Sequence, residues 1–328
     1  MSYILSAPYD DIYETFLEYQ RPRVSAQGFI SLEGHTRRFL HWLSHEDLLP
    51  EDVTIQDAVR YQAYLSQRTN RVGNTIASGT MQNYLKAARS LFRYLSVIGK
   101  VSTNPFMEIP YPQIGDHVSR NSLSESQMSC LLSKLSRFDE LPTPFARLRR
   151  YRVHVIAEFL YASGLRIAEA ASLIEANLDL DHRLIYLPEG KGGSPRTAFL
   201  TGYASEVLKL YLARGRSAVL GGYVRNHGQT IFGADKSRLA IVLNEELKKV
   251  CAELEIPVIT SHGFRHSLGT HLLRAGCDMR YIQIILGHES LGSTQVYTKV
   301  DKDDLKRSLD AFHPRKYQNN DEKLSVRV

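Results

Sequence analysis

Two long tracts of helical periodicity in this chain are separated by a stretch that no helix can cross. Between Asn104 and Asn121, Pro105, Pro110, Pro112 and Gly115 break every candidate turn. A 328-residue chain interrupted in this way is expected to form two domains. The expected division is residues 1–110 as an N-terminal helical domain, 111–122 as the linker, 123–312 as a second domain and 313–328 as a polar tail.

The first tract reads as four helices. Ile12, Phe16 and Leu17 recur at helical spacing in Asp10–Tyr19, and Phe39, Leu40, Trp42 and Leu43 do so in Gly34–Ser44. Thr54 with Asp57 has capping-box spacing ahead of Ala58, Val59, Gln62 and Leu65. A fourth helix, capped by Ser78 or Thr80, carries Met81, Leu85, Ala88, Phe92 and Leu95 on one stripe. Lys86, Arg89, Arg93 and Lys100 make a second stripe roughly a quarter turn away, at ~100° per residue. The second tract predicts a helix from the Ser124–Gln127 cap through Leu135, then Phe145–Ser163 ending at Gly164, Tyr203–Ala213, Leu239–Leu254, Gly263–Ala275, Met279–Leu286 and Asp301–Phe312. Arg183–Leu187 and Thr197–Leu200 flank a glycine-rich turn and predict a β-hairpin. The fold class is mainly α: an N-terminal helical bundle, then a mainly helical domain with a small antiparallel β-sheet.

Composition excludes several classes of function. No apolar run approaches the ~20 residues of a membrane span. No charged-then-apolar start marks a secretory leader. Cys130, Cys251 and Cys277 lack paired spacing and read as reduced thiols of a cytoplasmic protein, and no Cys/His cluster has zinc-ligand spacing. The net charge of +6 favours a polyanionic partner. Its distribution says more. Ala58 to Met107 contains no Asp or Glu but holds Arg60, Arg68, Arg71, Lys86, Arg89, Arg93 and Lys100. Leu141 to Ala157 is also free of acids and holds Arg147, Arg149, Arg150 and Arg152. Two such basic surfaces suit a phosphate backbone, although a solvated helix face would look the same in either stretch alone.

Six residues of the second tract supply one coherent chemistry. They are Arg166 in A-S-G-L-R-I-A-E, Lys191 in E-G-K-G-G, His262 and Arg265 in S-H-G-F-R-H, His288 in L-G-H-E, and Tyr297 in Q-V-Y-T. A guanidinium fork binds two phosphate oxygens at once. His262 and Arg265 are three residues apart, so a proton carrier and a phosphate clamp share one helix face. A tyrosine hydroxyl, with an ordinary pKa of about 10, must lose its proton as it attacks and needs a base nearby. Each residue alone has an ordinary structural reading as a core tyrosine, a capping histidine or a solvated turn lysine. The ordered set does not.

At these motifs the sequence strongly resembles the tyrosine recombinases of the phage integrase family, over about residues 150–300 and more loosely over the whole chain. The resemblance implies a site-specific, Xer-like two-domain DNA recombinase that needs no cofactor and no metal. Tyr297 would form a 3′-phosphotyrosyl link, Arg166 and Arg265 would bind the scissile phosphate, and Lys191 would act as general acid. His262 would accept the proton, and His288 would hydrogen-bond the phosphate. It implies an N-terminal core DNA-binding domain, here presenting Arg60, Arg68, Arg71, Lys86, Arg89 and Arg93 to double-stranded DNA. It also implies a homotetrameric synapse on DNA, with Asp301–Phe312 docking on a neighbouring subunit or else capping its own domain. Glu169 is expected to pack or orient a helix. Gly269 stands in a helix interior where a better helix former is usual, and Leu141–Arg150 and Gly215–Gln229 look like longer loops. The alternatives are a type IB topoisomerase-like or telomere-resolving enzyme with the same tyrosine chemistry, and a non-catalytic DNA-binding regulator that would have no use for Tyr297.

Overall fold

Helix caps and glycines written into the sequence decide where most elements begin and end. The structure, a computed structural model, describes residues 5–69, 73–113, 122–188, 195–221, 230–287 and 302–315. The chain divides into two compact units, Met1–Asp116 and His117–Val328. No described helix is long and apolar enough to cross a membrane.

The first unit is built from α1 (Tyr9–Gln20), α2 (Ala26–His45), α3 (Ile55–Gln67) and α4 (Ser78–Val97). α3 starts at the predicted capping box, with the Thr54 amide donating to Asp57 at 2.9 Å. α2 starts two turns earlier than its apolar pattern suggests, because the Ser25 hydroxyl accepts from the Gly28 amide at 3.2 Å. The predicted cap of α4 is corrected: Ala77 is the N-cap, and Ser78 is already helical. The core is aromatic. Phe39 has ring contacts with Trp42, Tyr61, Phe92 and Phe106. Phe106 and Ile109 are buried in this core, so the proline-rich stretch begins as part of the first unit.

The second unit is organised around α6 (Pro144–Ser163), which Thr143 caps. From Tyr151 to Ser163 only Arg152 escapes full burial. A helix buried on every side sits at a core's centre, and α6 packs against α5 (Glu125–Ser136), α8 (Gly202–Leu210), α10 (Lys236–Glu253) and α11 (Ser261–Arg274). α7 (Ile167–Ser172) follows α6 directly, and a π-helical turn at Tyr211–Gly215 joins α8 to α9 (Arg216–Leu220). α12 (Met279–Leu286) and α13 (Lys302–Phe312) complete the helices. The predicted hairpin is present as β2 (Leu184–Leu187) paired antiparallel with β3 (Arg196–Phe199), and the two-residue β1 (Leu178–Asp179) adds a third strand. The register sets Arg196 opposite Leu187. Gly269 lies where α11 meets α12, and a Cβ there would come within 3.1 Å of the Leu286 side chain.

Of the two expectations for the last helix, the single chain displays the cap on its own domain. The apolar stripe of α13 is used within its own chain. Leu305 and Leu309 are buried in the second unit's core, and Arg183 holds Asp310 through two bonds of 2.7 and 2.8 Å. Just beyond, buried His313 faces the Tyr161 carbonyl at 3.3 Å and accepts from the Arg315 amide at 2.9 Å, while Arg315 pairs with buried Glu158. Burial pushes the His313 imidazole down to about 4, so it is held neutral.

Candidate active site

Gly164 ends α6 in the left-handed conformation, with φ 63°. Its amide closes on the Leu160 carbonyl at 2.9 Å, and its own carbonyl accepts from Arg265 Nη1 at 2.7 Å. Two residues later Arg166 stands at the N-cap of α7. The Glu169 carboxylate reaches back to the Arg166 amide at 2.7 Å and accepts from Arg166 Nη1 at 3.0 Å. Arg265 arrives from the first turns of α11, one helical turn after His262. The structure therefore brings Arg166 from the start of α7, and His262 and Arg265 from α11, to one corner. Lys191, His288 and Tyr297 lie outside the described residues. Of the described residues beside them, Arg196 of β3 lies against Gly287.

The electrostatics follow from one carboxylate among three guanidiniums. Glu169 Oε1 also accepts from Arg196 Nη2 at 2.8 Å. Against burial, the Arg166 amide and then the Arg196 and Arg166 guanidiniums hold the Glu169 carboxyl below its ordinary range. Arg265 is buried, and burial with the nearby Arg166 charge pushes it down to about 10, so it stays protonated at neutral pH. The His262 imidazole is held below its ordinary value by desolvation and then by Arg265, His266 and Arg166. The corner is thus a desolvated cationic pocket with a neutral imidazole at its edge, suited to an anion whose charge grows during reaction. Glu169, expected to orient a helix, does so by capping α7 and also steers two arginines. Arg196 is absent from the motif reading. Its only sequence signal is its place on the strand after the Gly190–Gly193 turn.

The basic stretches fare less uniformly. Arg60 is committed to Asp57 and Glu46. Arg68 lies over the Tyr84 ring at 5.6 Å, and Lys86 lies over Tyr111 at 5.7 Å. Arg93 is exposed on α4, and Arg71 lies outside the described residues. Arg89 departs from its expected role. Its Nε donates to the Phe106 carbonyl at 2.9 Å and its Nη2 to those of Met107 and Ile109 at 3.3 and 2.9 Å, so it clamps the start of the linker. In the second stretch, 141–157, the arginines are engaged within the chain. Arg147 and Arg152 donate to the carbonyls of Leu141 and Phe232, each at 2.6 Å. Arg149 and Arg150 pair with Glu245 and Glu246 of α10, also at 2.6 Å. The acids missing from that stretch are supplied by another helix.

Comparison with known proteins agrees with this geometry. The sequence profile of the phage integrase family matches residues 122–304. The chain is 31% identical over 323 residues to the tyrosine recombinase XerC of Bacillus licheniformis, covering 92% of this chain and 96% of that protein. It is 30% identical over 314 residues to the tyrosine recombinase XerD of Chlorobaculum tepidum, covering 94% and 98%. Among solved structures, the XerH recombinase bound to a palindromic difH substrate shares the fold with a TM-score of 0.64 at 19% identity, over 92% of this chain and 84% of that one. A lambda integrase dimer bound to a COC′ core site shares it with a TM-score of 0.60 at 13% identity, over 96% and 99%. The chain belongs to the phage integrase family: it is an Xer-like tyrosine recombinase, an enzyme that breaks and rejoins DNA strands at specific sites.

Two outcomes follow from these contacts. Arg89→Ala is expected to destabilise the first unit by about 1.5–3 kcal/mol, the usual scale for hydrogen bonds from a charged group. Denaturant unfolding measures this, and unchanged stability would release Arg89 for a ligand. Gly164→Ala is expected to destabilise the second unit by at least ~1 kcal/mol, the cost of a left-handed alanine. The added Cβ would also lie 2.7 Å from Leu286. A variant as stable as the parent would mean that the α6–α7 turn is not held by this glycine.

Proposed function

We propose that the corner formed by Arg166, His262 and Arg265 binds a scissile DNA phosphate, and that Tyr297 attacks it. Arg166 and Arg265 hold the non-bridging oxygens. His262 accepts the tyrosine proton as the phosphorus–oxygen bond to Tyr297 forms. The bond to the 5′-oxygen breaks, and Lys191 gives that oxygen a proton. His288 donates a hydrogen bond to the phosphate. The product is a 3′-phosphotyrosyl link that keeps the phosphodiester's free energy, so a 5′-hydroxyl of another strand reverses the step without an energy source. The observation that carries this reading is the convergence of two guanidiniums and an imidazole on one corner where a single carboxylate faces three arginines.

The reading includes double-stranded DNA target sites and a homotetrameric synapse, supported by the DNA-bound recombinases that share the fold. Arg93 and Lys86 on α4, with Arg68, are the described N-terminal cations best placed to meet DNA phosphates, because Arg60 and Arg89 are engaged within the chain. A cytosolic location fits the three unpaired cysteines.

Tyr297→Phe removes only a hydroxyl and is expected to abolish covalent attachment to a nicked suicide duplex while leaving binding nearly intact. Persistence of the adduct on a denaturing gel would overturn the nucleophile's assignment. The pH dependence tests His262. Its pKa in the folded chain lies below the ordinary 6.5, so the neutral, proton-accepting form predominates at pH 7. Single-turnover cleavage is expected to hold as pH falls to 6.5 and to decline only below it. An acidic limb with its midpoint above that value, lost in His262→Gln, would contradict a lowered His262 pKa and its role as proton acceptor.

A further inference from the structure

Arg196 opens β3, and its guanidinium is fixed from two sides. Nη2 donates to Glu169 Oε1 at 2.8 Å, the same oxygen that accepts from Arg166 Nη1 at 3.0 Å. The other edge of the group lies on the backbone of Gly287. A Cβ built there would stand 2.6 Å from Nη1, 2.7 Å from Cζ and 2.9 Å from Nε, so only glycine admits this approach. Both partners of the ion pair are largely shielded, with the side chains 15% and 9% exposed. Arg196 Nη1 is buried without a hydrogen-bond partner among the described residues. A surface ion pair added for stability would have neither feature.

The charge arrangement suggests what this accomplishes. Glu169 is the one described carboxylate within reach of Arg166, Arg196 and Arg265. Its charge also acts on Arg265. A carboxylate free to turn toward Arg265 would neutralise the guanidinium that the phosphate needs. Bonds from Arg196 and Arg166 to one oxygen, and from the Arg166 amide to the other, hold it away.

We propose that Arg196 is a positioning residue for strand cleavage. It fixes Glu169 on Arg166 so that Arg265 remains unneutralised, and it seats Gly287, the residue before His288, against the same corner. This rests on the assignment of Arg166, Arg265 and His288 as phosphate ligands. Arg196 touches no reacting atom and acts through Glu169 and Gly287.

The test uses the full chain and a duplex selected by it from a random library, then nicked to trap the adduct. Binding, single-turnover adduct formation and thermal melting are measured for Arg196→Ala, Arg196→Lys, Glu169→Gln and the Arg196→Ala/Glu169→Gln pair. Arg196→Ala is expected to slow adduct formation by roughly 10- to 100-fold, the usual scale for a lost supporting contact, with binding and folding at the assay temperature little changed. Arg196→Lys is expected to recover part of the rate, because it keeps a cation beside Glu169. The double variant is expected to be no slower than the slower single variant, because both act through one carboxylate. An unchanged rate in Arg196→Ala, a rate loss matched by equal loss of binding, or fully multiplicative effects would each overturn the proposal. If Arg196→Ala does not fold, Arg196→Lys against Glu169→Gln carries the same comparison. Tyr297→Phe run alongside separates the two levels. An adduct there would overturn the cleavage scheme itself, whereas its absence together with a normal Arg196→Ala rate would overturn only the role of Arg196.

Discussion

The carbonyl of Gly164 is the contact on which the site depends. It can face Arg265 because α6 stops there in a conformation that L-residues with a Cβ adopt at a cost. The same turn releases the chain into α7, so Arg166 appears two residues beyond the carbonyl that holds Arg265. One glycine thus sets the separation of two arginines that lie 99 residues apart in sequence. The side chains of Leu268 and Leu286 close over the missing Cβ, tying the turn to α11 and α12 as well.

The resulting corner keeps more positive charge than it neutralises. Burying a guanidinium is costly unless it is bonded, and each of these arginines has at least one fixed acceptor: Gly164 for Arg265, Glu169 for Arg166 and Arg196. With one carboxylate among three cations, the remainder is available to an anionic ligand. Donors already fixed in a desolvated place need no reorganisation when charge develops before them, which is the usual source of large electrostatic effects in catalysis.

Much of this was legible in the sequence, and the failures share a cause. Helices bounded by a local signal were read closely. Thr54 with Asp57 and Ser124 with Gln127 form the expected caps, and α12 runs from Met279 to the residue before Gly287 as its apolar pattern indicates. Strand β1 has only two residues and no alternation to detect. The misread cations have partners remote in sequence. Arg149 and Arg150 meet acids of α10, and Arg89 meets carbonyls beyond the end of α4. Arg196 was invisible for the same reason, since nothing in a strand position reveals a carboxylate on α7. Arg166, His262 and Arg265 were found because their neighbours form a recognisable motif, and the structure then explains their proximity through Gly164.

The internal use of so many arginines has a consequence for behaviour in solution. Association with a polyanion weakens with added salt according to how many cations actually displace condensed counterions, with a slope of about 0.9 per phosphate met on duplex DNA. Arg60, Arg89, Arg149, Arg150 and Arg152 already spend their donors on carboxylates and carbonyls of the chain. Their charge counts toward the net +6 but contributes little to such an exchange. The chain should therefore release a nucleic acid at a lower ionic strength than its tally of basic residues suggests, leaving retention to the cations that remain outward-facing and to the corner itself.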